Sequence, residues 1–148
     1  MRRLARTLFA AAFALFIFGG LDQGRTHPSH ATGVVAVIWA HADQSAAPDG
    51  ETLVELYLVN HDYDAATLLS LTLSDHGPLR LEAARDFILF KLWREAPPTT
   101  VGPAEERLLS PPDHRLLIPT ALWLRDDFAM RAFFDPIGAV EVHRFGRN

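Results

Sequence analysis

Apolar and polar positions along the chain fall into short runs separated by proline, glycine, asparagine and aspartate. Val34–Ala40 is a continuous β-branched and apolar run between Gly33 and the polar stretch 43–50, the pattern of a buried strand. Thr52–Val59 repeats that pattern. Asn60-His61-Asp62-Tyr63-Asp64 then reads as a turn, because Asn and Asp side chains hydrogen-bond their own backbone. Thr67–Leu73 predicts a third strand, stopped by Asp75-His76-Gly77-Pro78. Leu79–Ala83 alternates strictly and predicts a half-exposed fourth, and Phe87–Trp93, apolar on both faces, a fifth. Leu, Glu, Ala and Arg across 79–93 also favour a helix, but Asp86 separates two unlike patterns and two strands fit them better. Residues 95–103, with Pro97, Pro98, Gly102 and Pro103, predict a loop. Glu105–Leu109 is a short piece leading into the proline-pinned turn Ser110-Pro111-Pro112-Asp113, which delivers His114 to the strand Arg115–Ile118. Thr120–Trp123 predicts a turn or short strand. Phe128–Phe134 and Ala139–Phe145 predict a closing hairpin about Asp135-Pro136-Ile137-Gly138.

Seven to nine short strands, frequent turns and no convincing helix predict an all-β fold, an antiparallel Greek-key sandwich or barrel. The N-terminus follows another logic. Arg2, Arg3 and Arg6 precede an apolar run over 8–21, shorter than the ~20 residues that span a bilayer, which is the form of a secretory signal peptide. Ser29-His30-Ala31 satisfies the small-x-small cleavage rule. The expected organisation is therefore a signal segment with a polar tail over 1–31 and one β domain over 32–148, exported to a periplasm. No stable membrane span is expected unless the leader stays uncleaved.

Removal of the leader leaves ten basic and 17 acidic residues, a formal charge of −7. An acidic domain without basic runs argues against nucleic acid or anionic lipid as a partner. With no cysteine, the domain must rest on its core and offers neither thiolate ligands nor a thiol nucleophile. There is no GxSxG elbow, no HExxH and no glycine-rich phosphate loop, and no enzyme is expected. The seven histidines are the conspicuous chemical resource. His27 and His30 lie in the leader's tail, where cleavage just before either would expose a histidine with a free amine. His41, His61, His76 and His143 stand alone at strand ends, in turns or within a strand. A metal site would draw first on His114, with His76 and Glu82, all near predicted strand ends in the middle of the chain.

The order of these landmarks resembles a known family. Trp39-Ala40-His41, Leu56-Tyr57-Leu58-Val59-Asn60, Ser74-Asp75-His76-Gly77, an alternating Leu-Arg-Leu-Glu strand, and Leu109-Ser110-Pro111 before His114 are together similar to the periplasmic PCu(A)C-type copper chaperones. The resemblance covers roughly residues 34 to 145. It implies a cupredoxin-like β-sandwich that handles Cu(I), with a cytochrome oxidase copper site or another copper-handling protein as partner. It also implies a ligand set: a histidine closing the alternating strand, a methionine on the next strand, and a His-x-Met after the proline turn. Thioethers with imidazole suit Cu(I). Here the first histidine position falls at Glu82 or Ala83, the methionine position at Lys91 to Trp93, and the His-x-Met at His114-Arg115-Leu116. Only His114 survives, so the resemblance implies a degenerate Cu(I) site, or a harder ion such as Cu(II) held by histidines and carboxylates. The alternative is a metal-free module that docks on a protein or glycan, with Trp39, Trp93 or Trp123 as anchors if exposed.

Overall fold

The computed structural model describes residues 33–146 of the 148-residue chain; the expected signal segment, with His27 and His30, lies outside the described residues. Alternation of apolar and polar positions builds eleven strands and one helical turn: β1 (Val34–Ala40), β2 (Glu51–Asn60), β3 (Ala66–Leu73), β4 (Gly77–Leu79), β5 (Leu81–Asp86), β6 (Lys91–Glu95), β7 (Thr99–Val101), β8 (Glu106–Leu109), β9 (His114–Pro119), α1 (Thr120–Trp123), β10 (Met130–Asp135) and β11 (Gly138–Phe145). The all-β expectation holds. All the strands belong to one sheet, with the order β4-β3-β10-β11-β1-β2-β9-β5-β6; β7 adds to the free edge of β3 and β8 to that of β2. Neighbours pair antiparallel except β1 and β11, which run parallel from Ala36 opposite Val142 to Trp39 opposite Phe145. The sheet is therefore mixed.

Chain connectivity forces this sheet to roll up. β4 and β5 stand seven strand positions apart in the order, yet Arg80 alone joins them. A flat sheet would separate them by roughly 34 Å, whereas the step from Leu79 to Leu81 spans at most about 7 Å. The same seam is crossed again between β7, on β3, and β8, on β2, through residues 102–105. The result is a curled, barrel-like sheet with one inner face. That face carries the core: Ile38, Leu56, Leu58, Leu71, Leu73, Leu116, Ile118, Trp123 and Met130 are all essentially removed from water.

Asn60 fastens the seam. Its side chain is fully buried, donates to the carbonyls of Asp64 (2.8 Å) and Val101 (3.0 Å), and accepts from the Asp62 amide (2.9 Å). Its own amide donates to the Glu105 carbonyl at 3.0 Å. One residue thus ties the end of β2 to the following loop, to β7 and to the turn before β8, with its buried side-chain amide fully engaged.

Four sequence expectations change. The fourth strand divides at Arg80, because its first residues pair with β3 and the rest with β9. Thr120–Trp123 is a single helical turn that seats Trp123 in the core. Thr99–Val101, inside the proline-rich loop, is a strand whose β-branched residues pair onto β3. The largest change is at 87–93: only Lys91 onward is strand, and Phe87–Phe90 form the exposed tip of the β5–β6 hairpin.

Candidate functional site

Cross-strand register decides which side chains of β5, β6 and β9 can meet. Glu82 lies opposite both Arg115 and Glu95, Ala84 opposite Trp93, and Ala83 opposite both His114 and Arg94. Directly opposed residues share a face and successive residues alternate. Glu82, Trp93 and Arg115 therefore occupy the outer face, while Ala83, Leu92, His114 and Leu116 occupy the side continuous with the core.

On the outer face the Arg115 guanidinium grips the Glu82 carboxylate with Nε at 2.7 Å and Nη2 at 2.6 Å from Oε2. The guanidinium also lies over the Trp93 ring, 4.7 Å from its centroid, with the Lys91 ammonium 6.0 Å from the same ring. Both partners of the ion pair are about four-fifths buried. A cation is thus already built into the place where Glu82 could otherwise have served a metal ion, and the cation–π contact holds it there.

On the inner side, His114 is delivered by the expected proline turn, closed by the amides of Asp113 and His114 donating to the Ser110 carbonyl at 3.2 and 3.0 Å. The Pro111–Pro112 bond is cis. The Ala84 amide donates to the Asp113 carbonyl at 2.8 Å and locks the turn to β5. Half-burial holds the His114 imidazole below its ordinary pKa, with the Asp113 carboxylate opposing and Arg107 adding to the shift. Neutral imidazole is the form that binds metals. The positions that share this face by register, Ala83, Arg85, Leu92, Arg94 and the core residue Leu116, supply no further histidine, carboxylate or thioether.

The three residues expected to form a metal site do not converge. Glu82 faces away from His114, and His76 lies exposed in the β3–β4 turn, beside Asp75, which pairs with Arg125 at 3.5 Å. Among the described residues no three His, Asp or Glu side chains could hold a metal ion together. The ligand set implied for Cu(I) does not fit the residues present.

A second polar cluster, not visible in the spacing, lies on the outer face of β1 and β2. Glu55, only 5% exposed, accepts from the Trp39 indole at 2.8 Å and pairs with Nδ1 of His41. Trp39 packs against Tyr57 with ring centroids 6.2 Å apart. Gln44 closes the end of the hairpin, donating to the carbonyls of His41 and Leu53 and accepting from the Leu53 amide. Both Glu55 oxygens are committed, one to Trp39 and one to His41, so this cluster is a clamp on the hairpin. Trp39 and Glu55 are directly opposed, a relation that only the register could reveal. Of the three tryptophans, Trp123 is in the core, and Trp39 and Trp93 are half-buried on the outer face. A groove of about 210 Å³ lined by Leu69, Pro78, Leu79, Pro97, Pro98 and Thr99 has Glu95 as its one titratable group.

No protein-family model matches the chain, and no curated protein matches it. Among solved structures it is similar to a copper-bound PCuAC domain from PmoF2, with 10% identity and a TM-score of 0.43, over 75% of this chain and 89% of that one.

Proposed function

We propose that this protein is an exported, non-enzymatic accessory of the copper-chaperone-like class that has given up its Cu(I) site and works by binding a partner. The observation that carries this reading is the register of β5, β6 and β9. The resemblance leaves the first ligand position open between Glu82 and Ala83; the pairing of Ala83 with His114 favours Ala83. Of Lys91 to Trp93, where the resemblance puts the methionine, Leu92 is the residue on the same face, so the ligand positions taken on this face hold Ala83, Leu92, His114 and Leu116. The frame of a soft-metal site is kept while three of its four ligands are replaced by apolar groups. On this reading the partners are copper-handling proteins of the periplasm, such as one serving a cytochrome oxidase copper site.

Titration with Cu(I) against a competing chelator tests it. The wild-type chain is expected to leave the metal with the chelator, and His114→Ala to change nothing. The triple variant Ala83→His/Leu92→Met/Leu116→Met is expected to take up one equivalent. Tight wild-type binding that disappears in His114→Ala overturns the proposed loss. A folded triple variant that takes no Cu(I) overturns the copper-chaperone frame and leaves a metal-free β interaction module.

A further inference from the structure

The tip of the β5–β6 hairpin is the least expected surface of the molecule. Ile88 and Leu89 are 101% and 91% exposed, and Phe87 and Phe90 49% and 62%. The two phenyl rings stack with centroids 5.2 Å apart, and the Phe87 amide donates to the Phe90 carbonyl at 2.9 Å. Four consecutive large apolar side chains therefore stand out on a hydrogen-bonded support. At on the order of 150–200 Å² for each large side chain, their combined exposure reaches the size of patch that marks an interaction site.

What surrounds the tip identifies what it meets. Residues 85–94 carry Arg85, Lys91 and Arg94 against the single acid Asp86, in a chain whose net charge is −4. Arg85, Lys91 and Arg94 are exposed just behind the apolar residues, and the half-buried Trp93 lies in the same collar. Lys91 is steadied by the Pro112 carbonyl at 3.2 Å and by Asp86 at 3.8 Å. An apolar end backed by a collar of cations and a tryptophan matches a bilayer surface, where acyl chains lie beneath anionic headgroups, and the collar locally reverses the acidic balance of the chain. The pairing of the Phe87 amide with the Phe90 carbonyl lowers the cost of leaving water.

We propose that Phe87–Phe90 insert into the surface of a bilayer containing anionic lipid, with Arg85, Lys91 and Arg94 on the headgroups. This inference stands apart from the reading of the Cu(I) positions, because it uses neither His114 nor its face.

Residues 8–21 are themselves apolar, so vesicle sedimentation alone does not isolate the tip. The absence of cysteine does, because Leu89→Cys in the full-length chain carries a polarity-sensitive fluorophore at one position only. Asp49→Cys, in the exposed loop before β2, is the control; the strand register places it at the end of the sheet away from the tip. With mixed phosphatidylethanolamine–phosphatidylglycerol vesicles, the label at 89 is expected to shift to the blue and brighten while the label at 49 stays in water. With phosphatidylcholine alone the response at 89 is expected to weaken. In the Leu89→Cys background, Ile88→Asp is expected to lower the vesicle-dependent signal about tenfold, the equivalent of losing one buried aliphatic side chain. An unshifted label at 89 overturns the proposal and leaves a protein groove as the tip's occupant. So does a shift that Ile88→Asp leaves intact, and so does an equal shift at 49.

Discussion

β2 and the Phe87–Trp93 segment look alike as sequence, both dense in large apolar residues, and they end in opposite environments. β2 is flanked by β1 on one edge and by β8 and β9 on the other, and nine of its ten residues are buried. The hairpin lies at the end of the strand order, with β6 as an edge, and its most apolar residues are its most exposed. Burial is thus decided by neighbours rather than by composition: a central strand is covered on both edges, and a hairpin tip that runs past the sheet has nothing to cover it. An exposed apolar run of this kind is a liability unless it has an occupant.

The comparison can be tested by truncation. Leu56→Ala, at a fully buried position of β2, is expected to cost roughly 2–5 kcal/mol in a urea unfolding experiment. Leu89→Ala is expected to change stability by no more than about 0.5 kcal/mol; a loss at 89 comparable to that at 56 would show that the tip packs in solution. Asn60→Ala comes next. It orphans the Asp64 and Val101 carbonyls and the Asp62 amide, and the expected loss is about 2–3 kcal/mol, readable as faster amide exchange along β7 and residues 61–65.

His114, where β9 meets the hairpin, supplies the smallest effect. Its folded pKa lies below the 6.5 of the free side chain, so the unfolded chain takes up this proton more readily. The stability that neutral His114 allows is therefore complete above pH 6.5 and declines as pH falls below it toward the folded value. His114→Gln is expected to flatten that part of the pH–stability curve. A slope unchanged by the substitution would place the imidazole in water.

Much of the fold was legible because strand periodicity is a local property. β1, β2, β3, β9, β10 and β11 each carry their own alternation and turn residues. What was not legible depends on the partner strand. The break at Arg80 exists because its two sides pair with different strands, and Thr99–Val101 becomes a strand only because β3 offers an edge. The candidate site failed for the same reason. Glu82 and Ala83 are neighbours in sequence, and only the pairing with β9 shows that one faces Arg115 and the other His114. The turn at Ser110–Asp113 was readable and was found as expected, since prolines act on their own backbone.

The position of β11 sets the timing of folding. The last of the described strands lies between β10 and β1, and it joins β3 with β10 on one side to β1 with β2 on the other. Until residues 138–145 are available, β1 lacks the strand that pairs it to β10 and so to β3. The sheet is complete only once β11 pairs, and its key pairings span most of the described residues, a topology that folds slowly and as a unit. A chain shortened by its last ten residues would keep β1 and β2 as a hairpin and lose the molecule.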